Sequence, residues 1–357
     1  MAYTVSWDMV SSLARNLHIP KLQDQFFLSN ALLSRWKNRQ KNWEGGPVLV
    51  VPLSFAPEGG GGTWYSGSDK FDTTVRNPIK AANYFAKNAE VTLAIDSDEE
   101  LAVRGPQSVL NLVDSKMTIA QNTMTDLVGT ALFNTGTNAK AVGGLGIALS
   151  DNIDGTTATT YGGITAGNQS PLTDPNGWWQ HNADHTAYAT GSLAADSTLF
   201  PPKSTTGGGG SWGPLPAICA KTGFRSGKQP TLLVSNWGAW TDFHNALAKN
   251  ERYDRPQQGS DLAKAGFTNL MFRNMPWVVD ERAPHNSSKI EKIYGIDERA
   301  VSLYVHPSRN FSFKGWRDAY DQDVRAGYIF HRTELCFSER RSSFVIDNID
   351  ATNTLNI

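Results

Sequence analysis

Apolar and polar positions alternate along PVLVVPLSF, residues 47 to 55, and again along AEVTLAID, where Val91, Leu93 and Ile95 fall on one side. A period of two is the signature of a half-exposed strand. Between these segments lie four consecutive glycines, 59 to 62, and then an arm that opens on Trp64-Tyr65. The pattern predicts a long hairpin leaving the body over 47–80 and a strand rejoining it. Elsewhere the period becomes helical. In KLQDQFFLSNALLSRWKNRQ, Leu22, Phe26, Ser29, Leu33 and Trp36 fall at steps of three and four, and basic residues gather at the helix end. A longer helix begins at Pro106, a residue suited to the first helical position, and carries Val109, Val113, Met117, Ala120, Met124, Leu127 and Ala131 on one face. It stops at Phe133-Asn134-Thr135-Gly136. Spanning 106–133, it makes a spine of roughly 42 Å at about 1.5 Å per residue.

Residues 137 to 213 turn Gly-, Thr- and Asn-rich, and a region this long without regular structure suggests function or support from neighbouring chains. Two pieces inside it read as structure: Val142 to Ser150 as a strand, and Ala183 to Leu193 as an irregular strand or helix. PLPAICAKTGF then predicts a short helix, QPTLLVS a buried strand and Trp237 to Ala248 an amphipathic helix. FTNLMFRNMPWVVD, KIYGIDERAVSLYVH and YIFHRTELCFSERRSSFVIDNI add strands, the last stretch reading as two joined near Glu339-Arg340-Arg341. Long helix and many strands together make an α+β chain.

Composition narrows the function. At 357 residues and 39% hydrophobic, the chain can bury a large core. Its formal charge of -1 proposes no nucleic-acid or membrane partner on global charge alone. Two cysteines, Cys219 and Cys336, stand far apart and fit a reducing compartment. Neither a signal segment nor an apolar stretch of spanning length is legible, which implies a soluble, cytosolic origin and no membrane partner. Eleven tryptophans and thirty-two glycines point toward surfaces built to pack against other chains.

Candidate chemistry changes this little. His181 and His185, i and i+4 beside Asp184, are the best metal pair, but the Glu of a H-E-x-x-H helix is missing. Gly143-Gly144-Leu145-Gly146 follows a helix rather than a strand and no Gly-Lys-Ser/Thr accompanies it, so it reads as a turn. No G-x-S-x-G occurs. The acidic pairs Asp98-Glu99 and Asp297-Glu298 suit helix starts or turns. No catalytic, metal or cofactor site is therefore expected. The pairs Trp64-Tyr65 and Trp178-Trp179, each in a polar glycine-flanked loop, are expected to bury against another chain, because adjacent rings do not both enter one small local core.

The order of these stretches resembles the major capsid proteins of tailed bacteriophages, with the Hong Kong 97 fold. The resemblance runs from WEGGPVLVVPL and the hairpin through the spine and ALFNTG. It continues through VGGLGIALSDN, TYGGI and the following WW, then PTLLVSNWGAWTDFHNAL, FRNMPWVVDER, IYGIDERAVSLYVHPSRNF and DQDVRAGYIFHRTELCFSERRSSFVI. It implies an N-terminal arm over 1–46, an extended hairpin over 47–80 and a peripheral domain over 81–225 with an insertion near 194–213. An axial domain over 226–325 and strands returning to the peripheral domain over 326–357 complete the division. The implied function is self-assembly, as hexamers and pentamers, into the icosahedral head of a double-stranded DNA phage, made in the bacterial cytoplasm and residing in the virion. The competing reading is a surface or secreted β-rich adhesion or sugar-binding protein, suggested by the Trp/Gly loops.

On that resemblance Val48, Val50, Leu53, Phe55, Trp64, Tyr65 and Phe71 of the hairpin, with Trp178 and Trp179, contact neighbouring subunits. Arg35, Lys37, Arg39 and Lys41 face packaged DNA or a scaffold, screening phosphate without reading sequence. A short segment precedes the arm helix, which implies a separate scaffolding protein, beside a portal and decoration proteins. Lys70, Asn77 and Lys80 are the residue types of the Lys-Asn links some members form.

Overall fold

The computed structural model describes residues 30–56, 62–71, 73–75, 77–102, 106–150, 160–165, 177–184, 214–241, 271–284, 290–320 and 322–350. Leu22, Phe26, Ser29, His185, the 194–213 insertion and the part of the predicted 237–248 helix beyond 241 lie outside them.

The chain enters through helix α1 (Ala31–Lys37), whose Leu32, Leu33 and Trp36 are buried. Strand β1 (Lys41–Asn42) follows, and then the predicted hairpin: β2 (Val48–Ser54) pairs antiparallel with β3 (Ile79–Phe85) from Val48↔Phe85 to Ser54↔Ile79. No other strand joins this ribbon among the described residues. Strand β4 (Lys87–Asp96) and the short helix α2 (Ser97–Ala102) lead into the spine, α3 (Pro106–Ala131). At 26 residues the spine is about 39 Å long, close to the predicted span. Its buried line is Leu112, Ala120, Met124 and Val128, whereas Leu127, expected on the core face, is 45% exposed. Steps of four alone select that line, and Val128 fills the place assigned to Leu127.

The glycines after the spine act by allowing close approach. Leu145 N–H donates to the Leu132 carbonyl at 2.6 Å, and a Cβ on Gly144 would stand 2.5 Å from the Ala131 oxygen. The chain thus folds back over the helix end and satisfies a carbonyl that α3 leaves free. That reversal makes Leu145–Ala148 a helical turn, α4, inside the Val142–Ser150 stretch expected as a strand.

Two further sheets carry the body. In one, β14 (Val324–Phe337) pairs along its first ten residues with β4, while β12 (Val301–Val305) and β13 (Ser312–Asp318) also line it and β1 extends β12. The other is six-stranded, in the order β7 (Asn182–Asp184), β15 (Phe344–Asp350), β11 (Ile290–Ile296), β8 (Leu232–Ser235), β10 (Met275–Val279), β9 (Met271–Phe272). A small ribbon, β5 (Thr160–Tyr161) with β6 (Ile164–Thr165), completes the strands. One core joins α1 and the spine to both larger sheets through Leu33, Met124, Leu303, Ile329, Tyr294 and Val345. The other face of the six-stranded sheet packs Leu233, Ile293 and Phe344 against Leu215 and Ile218 of α5 (Pro214–Ser226). Covered on both sides, β8 reads LLVS with every position buried, which is why it shows no alternation. Gly295 lies opposite Phe344, where a Cβ would come within 2.2 Å of the ring.

The sheets do not follow chain order: β14 and β15 enter different sheets, and β12 and β13 join β4 and β14 rather than β8 and β10. Alternation marks a strand without naming its partner, and the turn after Phe337 carries the chain from one sheet to the other.

Candidate assembly surface

The hairpin stands outside the core at its far end. Leu53 is buried, and Leu49 and Val51 pack against the core, so one face of the ribbon belongs to the subunit itself. Val48 and Phe55 are half-buried and Val50 is 55% exposed. Beyond them Trp64 is 103% exposed and Tyr65 and Phe71 are each 66% exposed. Tyr65 and Phe71 are held in a defined arrangement. Asp69 N–H donates to the Ser66 carbonyl at 3.0 Å and Ser66 N–H to the Asp69 carboxylate at 2.8 Å, closing a turn. The turn brings Tyr65 and Phe71 edge to face, with ring centroids 5.1 Å apart. The tip therefore presents large apolar rings to water beside an ordered turn.

Leu53 and Trp179 depart from the expectation of intersubunit contact. Trp179 is 1% exposed: its indole N–H donates to the Tyr161 carbonyl at 3.0 Å and the Arg340 guanidinium lies over its ring. Neither residue has appreciable surface left to lose on assembly. The two rings lie 5.5 Å apart, tilted by 50°, and both find shelter within the chain. Trp179 enters the core, while half-buried Trp178 packs against that core and stacks on Phe55 at 5.6 Å, bracing the hairpin where its pairing ends.

The four cations also have partners within the chain. Arg35 makes a two-pronged contact with Glu298, at 2.6 and 2.9 Å, and Arg39 joins the same carboxylate at 3.2 Å. Lys37 lies over Phe311 and Lys41 over Tyr304. One buried carboxylate faces two guanidiniums, so the cluster keeps a positive excess, and the Arg39 side chain stays 59% exposed.

His181 is occupied structurally. Its Nε2 stands 2.8 Å from the Ser150 carbonyl and its Nδ1 3.2 Å from Arg340 Nη2. Arg340 donates to Nδ1, so Nε2 carries the proton and donates to Ser150. Both ring nitrogens are thereby used within the fold.

Sequence reasoning missed Glu334. It lies on β14 in a run of buried residues and accepts a hydrogen bond from Gly143 N–H at 2.8 Å, while its second oxygen has no hydrogen-bond partner among the described residues. Burial pushes its carboxyl from 4.5 up to about 7, against the opposing pull of Gly143 N–H and Lys87. Between these values the folded chain holds a proton that the unfolded chain has released. Stability from this group is therefore full below pH 4.5 and is lost as pH rises toward about 7. The shift corresponds to about 3 kcal/mol. Glu334→Gln keeps an acceptor for Gly143 and removes the titration. Urea unfolding at pH 8 should find it about 2–3 kcal/mol more stable than the parent, with the difference vanishing near pH 4.5. An equal pH slope in both proteins would refute the assignment.

No family model matches the chain, and no characterised protein sequence does. Solved structures match over nearly its whole length. The cyanophage A-1(L) capsid chain is 15% identical with a TM-score of 0.63, over 95% of this chain and 98% of that one. A chain from the capsid of a native GTA particle is 12% identical with a TM-score of 0.54, over 93% and 96%. The holo-SrpI encapsulin complex from Synechococcus elongatus PCC 7942 gives 11% identity and a TM-score of 0.53, over 99% and 98%. The chain has the α+β fold of these shell proteins, the Hong Kong 97 fold expected from the order of its elements. Nothing in these likenesses supports an adhesion or sugar-binding fold.

Proposed function

We propose that this chain is a major capsid protein, a structural subunit without enzymatic activity that assembles with copies of itself into the icosahedral head of a tailed double-stranded DNA phage. The observation that carries the reading is the hairpin's exposed aromatic tip, Trp64, Tyr65 and Phe71, on a chain whose fold matches capsid chains over 98% and 96% of their length. An isolated two-stranded ribbon gains little stability alone, so its extension beyond the body makes physical sense when a neighbour covers it. Repeated around hexamers and pentamers, contacts of modest strength add up through closure.

Val48, Val50, Phe55, Trp64, Tyr65 and Phe71 are the contact residues in this reading, with Trp178 behind Phe55. Arg35, Lys37, Arg39 and Lys41 form an inner patch whose positive excess meets DNA phosphate or an acidic scaffold without sequence preference. A separate scaffold, a portal and decoration proteins complete the set of partners. Assembly takes place in the host cytoplasm and the product resides in the virion.

The likeness to an encapsulin over 99% of the chain favours one second reading, an encapsulin-like complex instead of a phage head. Electron microscopy of the purified protein, alone and with a co-expressed scaffold candidate, tests the shared premise. Shells, tubes or hexameric and pentameric rings are expected. A persistent monomer in both samples ends both shell readings. Nuclease-protected double-stranded DNA inside particles recovered from infected cells distinguishes the head from the encapsulin-like complex.

A further inference from the structure

Two arginines meet where α5 ends. Arg225, in the last turn of that helix, donates from Nη1 to Asn182 Oδ1 at 2.7 Å. Arg341, in the turn between β14 and β15, donates from Nη2 to the Arg225 carbonyl. Asn182 fixes the junction from the side of β7. Its fully buried amide donates to Thr222 Oγ1 and to the Arg341 carbonyl, each at 3.1 Å.

Neither guanidinium meets a carboxylate among the described residues. Glu339, the acid closest to Arg341 along the turn, is engaged by Lys228. Like charges packed together repel, and burial together with Arg341 holds the Arg225 pKa below the ordinary arginine value. The helix end accounts for one of the two cations. Arg341 Nη2 satisfies a carbonyl that α5 leaves free, and a positive charge suits that end of a helix. Arg225 is not so explained: its Nη2 is shut off from solvent and has no hydrogen-bond partner among the described residues. A cationic donor buried without an acceptor is costly. Both arginines are half-buried, so the pair lies near the surface, next to Phe224, which is 93% exposed.

We propose that Arg225 and Arg341 form a binding site for a phosphate dianion, supplied as free inorganic phosphate or as the terminal phosphate of a nucleotide. Two guanidiniums match its double charge, and each offers the paired N–H groups that oxyanions accept in two-pronged hydrogen bonds. Arg225 contributes the Nη2 that lacks an acceptor, while Asn182 holds its other arm, so the fork is positioned before the anion arrives. A phosphodiester, with a single charge, leaves half of the pair uncompensated. The bound anion ties α5 to the turn that links the two larger sheets, and so stabilises the single subunit. The site belongs to the unassembled chain and stands apart from the shell reading.

Thermal melting of the full chain in mildly alkaline buffer tests the site, with sodium phosphate replacing chloride at constant ionic strength. About 10 mM phosphate should raise the midpoint by about 2 °C or more. Titration calorimetry should show binding that Arg225→Gln and Arg341→Gln each weaken by about tenfold or more. Should Arg225→Gln not fold, Arg225→Lys keeps the cation, gives up the fork and still weakens binding severalfold. Adenosine monophosphate titrated beside inorganic phosphate identifies the source. Affinity no greater than that of phosphate assigns the free ion, and tighter binding, lowered again by Phe224→Ser, assigns a nucleotide whose base stacks on that ring. No gain over chloride overturns the site. A gain of the same size in both arginine variants places the anion elsewhere and overturns it equally.

Discussion

Arg340→Ala is expected to cost the subunit about 3 kcal/mol of stability, read as a lower urea midpoint at an unchanged slope. Arg340 lies in the turn that carries the chain from β14 to β15, and its side chain is fully buried. Its Nε–H donates to the Ala148 carbonyl at 2.7 Å, Nη2–H donates to His181, and the guanidinium lies over the rings of Tyr161 and Trp179 at 5.5 and 5.7 Å. It therefore ties the turn between the sheets to α4, the β5–β6 ribbon and the segment before β7.

Two effects oppose each other at this residue. Burial pushes the Arg340 pKa down from 12.5 to about 10, so keeping the charge inside costs about 3 kcal/mol, which alanine would recover. Against this, truncation orphans two acceptors at about 1–3 kcal/mol each and abandons two cation–ring contacts at about 0.5–2 kcal/mol each. It also leaves a cavity under Trp179, worth about 2 kcal/mol or more. The losses win. Arg340→Met fills most of the volume without a charge and should lose about half as much. Alanine within about 1 kcal/mol of wild type would show that desolvation cancels the contacts.

Legibility from sequence follows the range of each interaction. The spine, the hairpin and the buried strand β8 are written in local periodicity and punctuation, so residues 106–131, 48–85 and 232–235 emerge close to their observed places. Partners far along the chain are not so written. The charge of Arg35 is visible, but Glu298, which it grips, is 263 residues away. Trp178 and Trp179 read as one exposed pair because nothing near them announces Arg340, the ring of Phe55 or the Tyr161 carbonyl. Glu334 carries no motif at all, since its behaviour comes from burial and from a single amide contributed by Gly143. The hairpin tip was legible for the opposite reason: its rings have few partners in the chain, and composition alone exposes that mismatch.

Replacing Trp64 and Tyr65 together by serine should abolish shell formation at ordinary concentrations and hardly move the melting of the isolated subunit. Trp64 is fully exposed and Tyr65 touches chiefly Phe71, so the folded monomer loses little. In the proposed assembly the same rings would bury on the order of 150–250 Å² each. At about 25 cal/mol per Å², even half of that transfer gives roughly 4–6 kcal/mol per contact. Entropy of ordering the tip removes part of it, and the remainder still raises the concentration needed for assembly by about a hundredfold or more. Because each copy gives and receives such a contact in a closed shell, the loss is compounded at every position. Light scattering against concentration, beside calorimetry of the unassembled chain, separates the two effects. A marked fall in monomer melting would place these rings in the subunit's own core, whereas normal assembly would deny the hairpin its clamping role.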